Sequence, residues 1–144
     1  MILVTGGAGY IGSHTCVELL SAGYNLVVLD NLCNSHRASV TRIAALANVQ
    51  LGNARLQFVQ GDIRDSHLLD QLLKQHRIEA VLHFAGLKAV GQSVKRPLDY
   101  YSNNLQGTLV LLQAVSKYGC KRLVFSSSAT VYSNAAAVPI PENA

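Results

Sequence analysis

The sequence predicts an α/β fold: a doubly wound parallel sheet of five strands with flanking helices. Three observations carry this prediction. First, short and nearly continuous apolar runs recur along the chain, the pattern of strands buried on both faces in a parallel sheet. Second, these runs alternate with segments of helical period in the order β-α-β-α-β-α-β-α-β. With right-handed crossovers, that order covers both faces of the sheet with helices. Third, a glycine cluster sits at the first strand-to-helix junction, where such folds turn most tightly.

The elements follow in order. Ile2-Leu3-Val4-Thr5 is an apolar, β-branched run stopped by glycines, a buried strand. Ile11 to Ala22 carries Ile11, Cys16, Leu19 and Leu20 at helical spacing and is stopped by Gly23. Asn25 to Asp30, with Leu26-Val27-Val28-Leu29, is the second strand. Ala38 to Ala47 is a helix with Val40, Ile43, Ala44 and Leu46 on its apolar stripe. Arg55 to Ile63 is the third strand, and Ser66 to His76 a helix with Leu68, Leu69, Leu72 and Leu73 inward. Ile78 to Ala85 is the fourth strand and Gly86 to Lys88 a loop. Pro97 starts a long helix through Leu105, Leu109, Leu112 and Val115, closed by Gly119. Lys121 to Ser128 is the fifth strand, and Asn134 to Ala144, with two prolines and no period, reads as loop.

Composition narrows the function classes. The chain has 144 residues, 49% apolar and only 14% charged, which predicts one globular domain with a large core. The net charge is +4, but the basic residues are scattered (Lys74, Arg77, Lys88, Lys95, Arg96, Lys117, Lys121, Arg122). No basic face argues for nucleic acid, and a mild positive balance suits a phosphate-bearing ligand. Cys16, Cys33 and Cys120 are odd in number and form no CxxC, which argues against a disulfide framework or a zinc site. Cys16 reads as a small core residue. No apolar run approaches the length needed to span a bilayer. The first strand begins at once, leaving no room for a signal peptide, so a reducing, cytoplasmic setting is expected.

Chemistry concentrates at the carboxyl ends of the predicted strands, where open α/β sheets bind ligands. Thr5-Gly6-Gly7-Ala8-Gly9-Tyr10-Ile11-Gly12 contains GxxGxxG at Gly6, Gly9 and Gly12, and GxGxxG at Gly7, Gly9 and Gly12. One glycine permits the tight turn, one lets backbone approach a pyrophosphate, and one packs helix on strand. The helix N-terminus offers free N–H groups and partial positive charge to phosphates. Asp30 ends strand two, where a carboxylate can accept from adenosine ribose hydroxyls and repel a 2′-phosphate. Together these point to NAD. His36 and Arg37 are the only hint of NADP, and Asp30 would have to be neutralised first.

Four further segments reach the same edge. Asp62, with Ile63 beside it, can bond an adenine or cap the next helix. Phe84-Ala85-Gly86-Leu87-Lys88 ends strand four beside the switch point, where the nicotinamide half should lie. Lys88 there is either a phosphate partner or a surface lysine. His83, inside an apolar strand, reads as a satisfied core histidine. Asn103 and Asn104 sit in a helix, where Asn is not favoured, so at least one is expected to bond inward, to the cofactor. Ser126-Ser127-Ser128 ends strand five and can polarise a substrate oxygen or simply cap the strand.

Six stretches taken together resemble the UDP-glucose 4-epimerase family of the extended short-chain dehydrogenase/reductase superfamily. They are TGGAGYIGSH, LDNLCNS, GDIRD, HFAGLKAVGQSV, PLDYYSNN with its following GT, and FSSSATVY, in the family's order over nearly the whole chain. The first is shared by many nucleotide-sugar enzymes, whereas HFAGLKAVGQSV followed by SSSATVY is much more specific. The resemblance implies that Tyr10, Ile11, Asp30, Asn31, Leu32, Cys33, Asn34, Ser35, Asp62, Ile63, Phe84, Ala85, Gly86, Leu87, Lys88 and Asn103 contact NAD. It implies that Ser128 is the catalytic serine that binds a sugar hydroxyl. The implied reaction interconverts UDP-glucose and UDP-galactose by transient oxidation at sugar C4. The implied assembly is a homodimer through helices matching 66–76 and 97–118.

The chain also departs from that pattern. The family's YxxxK lies after the serine, beyond where this chain stops. None of Tyr10, Tyr24, Tyr100, Tyr101, Tyr118 and Tyr132 has Lys four residues on. Ser133 stands where the family has Gly. The later strands and the UDP-sugar-binding domain are absent. The expectation is an incomplete, truncated Rossmann domain over 1–144, the NAD-binding N-terminal portion of an epimerase. It should be inactive alone, since losing the base costs about 10²–10⁴-fold. A non-catalytic NAD-binding module, a truncated remnant of an epimerase, and a related dehydratase or reductase are the competing readings. The fifth strand is expected to be an exposed apolar edge.

Overall fold

Alternation within each strand decides the layering. In the first strand, β1 (Ile2–Thr5), Ile2 and Val4 point to one side and Leu3 to the other. The computed structural model describes residues 1–128, 131–132 and 138–143. It places α1 (Tyr10–Ser21) and α2 (Arg37–Leu46) over the Ile2/Val4 side, with Cys16, Leu20, Ile43 and Ala44 in that core. Burial pushes the Cys16 thiol up to about 12, so it is an inert core group. On the Leu3 side, Leu69, Leu72 and Leu73 of α3 (Ser66–Gln75) and Leu111, Ala114 and Val115 of α6 (Gly107–Lys117) form the second core. The central strands β1 and β2 (Leu26–Asp30) are buried on both faces, which is why their only polar residues, Thr5 and Asp30, stand at their carboxyl ends.

The sheet is parallel, in the order β3-β2-β1-β4-β5. The remaining strands are β3 (Leu56–Gln60), β4 (Ala80–His83) and β5 (Leu123–Phe125). Chain direction across the sheet reverses at β1, so the β1/β4 crevice is the topological switch point. In register, Thr5 lies opposite Leu29 on one side and His83 on the other. The α1 helix stops where Gly23, at φ +90°, donates to Leu20 and Tyr24 donates to Leu19, a Schellman closure.

The predicted long helix from Pro97 is not one regular α-helix. It runs as α5 (Pro97–Tyr100), a π segment (Tyr101–Gln106) and α6. Of the apolar residues it is predicted to run through, only Val115 is buried. Leu105, Leu109 and Leu112 are exposed, and Leu111, Ala114 and Val115 face the sheet. Leu46, on the apolar stripe of its helix, and Ile11, among the apolar residues of the first helix, are exposed. A short helix, α4 (Val90–Lys95), stands where no element is predicted. The third, fourth and fifth strands are shorter than the runs that suggest them. The β5 strand is exposed and lies at the sheet edge, as expected. Of the terminal loop, residues 134–137 and 144 lie outside the described residues, as do Ala129, Thr130 and Ser133 of the final motif. No helix among the described residues is long and apolar enough to cross a membrane.

Candidate functional site

The loops after β1, β2, β4 and β5 meet at the switch point around a cleft of about 650 Å³. Pockets of roughly 300–1,000 Å³ hold cofactor-sized ligands. Gly6, Gly9, Tyr10, Ile11 and Gly12 line it from the first loop, and Asp30, Asn31, Cys33 and Asn34 from the second. Ile63, Phe84 to Lys88, Asn103 and Ser128 complete the set of predicted residues on its walls. Leu29, Gly61, Asn104, Thr108, Phe125, Ser126 and Ser127 line it as well. Leu32, Ser35 and Asp62 are not among the lining residues. Their bonds brace those that are.

The glycine loop packs so closely on neighbouring backbone that Gly6 and Gly12 leave no room for a side chain. Gly6 has φ +69°, and a Cβ there would lie 2.5 Å from the Ala85 amide nitrogen. The loops after β1 and β4 therefore touch backbone to backbone. At Gly12 a Cβ would overlap the Gly6 carbonyl oxygen and come within 2.8 Å of the Gly7 Cα. Gly9 precedes α1, with no side-chain cap and no acidic residue in the first turn. The positive end of α1 thus opens into the cleft with no acidic residue in its own first turn.

Asp30 is the buried carboxylate of the site, 7% exposed. Its Oδ2 accepts from the Ala8 amide at 3.0 Å. Its Oδ1 accepts from the Leu32 amide at 2.9 Å and from Ser35 Oγ at 2.8 Å. These bonds tie the end of β2 to the glycine loop and hold Leu32 at φ +58°. Arg37 lies over the Phe58 ring, 5.2 Å from its centroid, where it serves packing.

Asp62 is engaged rather than poised. Arg64 donates to it from Nε at 2.8 Å and Nη2 at 2.7 Å, and Asn31 Nδ2 donates at 3.0 Å. The Arg64 hydrogen bonds hold its carboxyl well below the usual carboxylate range, so it stays ionised. The cap of α3 is Asp65 instead, which accepts from the Leu68 amide.

His83 is the satisfied core histidine that its setting predicts, and its partners define a tautomer. Thr108 Oγ1 donates to the Asn104 carbonyl at 2.6 Å, so it accepts from His83 Nε2 at 2.9 Å. Nδ1 is then the acceptor for Thr5 Oγ1 at 2.6 Å. Burial pushes the imidazole pKa below its ordinary 6.5, which keeps it neutral. The sign for stability follows. The unfolded chain binds the proton more readily, so this contribution is full above about pH 6.5 and falls as pH drops toward the folded-state value. Urea midpoints should decline between pH 7.5 and 5.5 more steeply for the wild type than for His83→Gln. One proton limits the difference to about 1.4 kcal/mol per pH unit. Equal slopes would remove His83 from the account.

Residues 2–144 match the NAD dependent epimerase/dehydratase family. The chain belongs to that family. It is 55% identical over 142 residues to UDP-glucose 4-epimerase of Yersinia pestis, covering 99% of this chain and 40% of that protein. It is 52% identical over 142 residues to UDP-glucose 4-epimerase of Klebsiella pneumoniae, covering 99% of each. It thus spans about 40% of the length of the Yersinia pestis relative and nearly all of the Klebsiella pneumoniae one. A crystal structure of UDP-glucose-4-epimerase from Stenotrophomonas maltophila, with bound NAD and formylated UDP-arabinopyranose, superposes with TM-score 0.90 at 50% identity, over 99% of this chain and 41% of that one. The Bifidobacterium longum enzyme in complex with NAD+ and UDP gives 0.90 at 44% identity, over 98% and 41%. The order of strands and the placing of the glycine loop are thus those of an epimerase/dehydratase-family dinucleotide fold.

Proposed function

We propose that this chain binds NAD across the β1/β4 cleft, as the cofactor-holding portion of a UDP-glucose 4-epimerase-type isomerase. The observation that carries the reading is the buried Asp30 carboxylate bonded to the same glycine loop that opens the α1 N-terminus into the cleft. The residues fit the group. Gly6 and Gly12 let the loop pack closely on the β4 loop and on itself at the cleft, the α1 amides would meet a pyrophosphate's charge, and Asp30 would accept from adenosine ribose hydroxyls. Phe84 to Lys88 and Asn103 would hold the nicotinamide half, and Ser128 a hydroxyl of the sugar. When bound, NAD supplies a reversible hydride acceptor for sugar C4, which is the chemistry an interconversion of UDP-glucose and UDP-galactose needs.

No tyrosine among these 144 residues has Lys four positions on, so a YxxxK pair is not present to act as base at the C4 hydroxyl. The second reading is a non-catalytic NAD-binding module. Calorimetry with NAD is the test of binding. Saturable heat, with NADP at least about tenfold weaker because of Asp30, is expected. No heat at millimolar NAD would sink both readings. Turnover of UDP-galactose by the chain would then decide between them.

We further propose a homodimer through the helices spanning 66–76 and 97–118. Leu98, Tyr101, Leu105, Leu109 and Leu112 form an exposed apolar stripe spaced three or four residues apart. Two charges placed there, Leu105→Glu with Leu109→Glu, should shift the sedimentation coefficient from dimer to monomer. A wild-type chain that sediments as a monomer overturns the assignment. A reducing, cytoplasmic setting accords with Cys16, Cys33 and Cys120 all being free thiols.

A further inference from the structure

We infer that Asn104 is a positioning residue that sets the Phe84–Lys88 wall of the cleft for the nicotinamide half of the cofactor. The inference rests on the NAD reading above. Asn104 sits inside the π segment, and its side chain clasps both main-chain groups of Leu87. Oδ1 accepts from the Leu87 amide at 2.8 Å, and Nδ2 donates to the Leu87 carbonyl at 2.8 Å. This pairing replaces the strand partner that the loop lacks beyond β4. Asn103 Nδ2 also donates to Asn104 Oδ1 at 2.9 Å, so the two adjacent amides form one unit.

The clasp is itself anchored. Thr108 donates to the Asn104 carbonyl and accepts from His83, which in turn accepts from Thr5. One line of hydrogen bonds therefore runs from the end of β1, through the end of β4, to the π segment and back to the loop. The π geometry gives this line its reason. A bulge re-aims the residues it contains, and such bulges gather at functional sites. Here it turns Asn104 onto Leu87 with Lys88 next in the chain, and both line the cleft. Asp30 stands on the opposite side of the switch point, so a dinucleotide spanning it meets Asn104's loop with its other half.

The test compares two ligands on the whole chain. ADP reaches only the Asp30 and glycine-loop side, whereas NAD needs both sides. Asn104→Ala removes both clasping bonds. Asn104→Asp keeps the acceptor and sets an oxygen against the Leu87 carbonyl. Calorimetry on whichever variant retains the wild-type circular dichroism should show NAD weakened about tenfold, about 1.4 kcal/mol, and ADP changed less than about twofold. Parallel weakening of NAD and ADP overturns the inference, as does unchanged NAD affinity. Loss of fold in both variants also overturns it, because Asn104 would then serve the fold and not the ligand. Failure of the underlying reading is seen separately, as a wild-type chain that binds neither ligand.

Discussion

Gly6→Ala is expected to abolish measurable NAD binding and to destabilise the chain by about 2–5 kcal/mol. Two costs add. The residue holds φ +69°, where an L side chain is disfavoured by about 1–2 kcal/mol. Its Cβ would also sit 2.5 Å from the Ala85 nitrogen and 2.7 Å from both the Ala85 Cα and the Phe84 carbonyl carbon. These are backbone atoms, which cannot rotate aside as a side chain can. Relief requires the loop after β4 to move, at a cost typical of overpacking, about 1–3 kcal/mol. That loop is a wall of the cleft, so the movement that relieves the clash spoils the site. Gly23→Ala is the control. Gly23 has φ +90° with open space around the missing Cβ, so it should cost only the conformational share and leave NAD binding intact. Urea midpoints and calorimetry on the pair separate strain from close approach. Equal losses in both variants would show that the β1/β4 contact is not what matters.

The contrast between these two glycines shows what a sequence can disclose. Both stand after apolar runs and both read as turns. Only the spacing of Gly6, Gly9 and Gly12, with an acid at the end of the next strand, marks the first as a ligand loop. The first two strands are equally legible, because burial on two faces leaves the unbroken apolar runs Ile2-Leu3-Val4 and Leu26-Val27-Val28-Leu29. The helix after Pro97 was not. It carries two apolar stripes, Leu105-Leu109-Leu112 and Leu111-Ala114-Val115, and periodicity alone cannot say which faces the sheet. Gly107 decides it. A Cβ there would lie 2.7 Å from Ile63 Cδ1, so with glycine this face packs on the core without displacing the Ile63 side chain. The π segment then rotates the residues before it relative to α6, and no propensity signals such an insertion. The α4 helix buries none of its residues, so it leaves no burial period to read. Asn104 was visible only as a helix-disfavoured residue expected to bond inward. That its partner is Leu87's backbone depends on the π register.

Asp30→Ala should lower NAD affinity more than 100-fold and destabilise the chain by about 3–5 kcal/mol, even without ligand. The carboxylate accepts from Ala8 N, Leu32 N and Ser35 Oγ, and it is buried, so its removal strands those donors. Hydrogen bonds to a charged acceptor are worth about 1.5–3 kcal/mol each, but three on one group do not sum independently. Leu32 adds to the loss. It is held at φ +58°, a conformation a leucine leaves when its restraint goes. The β2 loop should therefore open and take Asn31, Cys33 and Asn34 off the cleft wall. Asp30→Asn separates charge from scaffold. Its shape is retained, but one oxygen becomes an NH₂ facing a donor, so a smaller destabilisation of about 1–3 kcal/mol is expected. With the negative charge gone, the repulsion toward a 2′-phosphate goes too. The preference for NAD over NADP should then narrow about tenfold, chiefly through weaker NAD binding and unchanged or improved NADP binding. Calorimetry with both dinucleotides on both variants reads this directly. If Asp30→Asn weakened NAD and NADP by the same factor, Asp30 would be a loop brace alone, and the specificity assigned to its charge would have to come from elsewhere in the β2 loop.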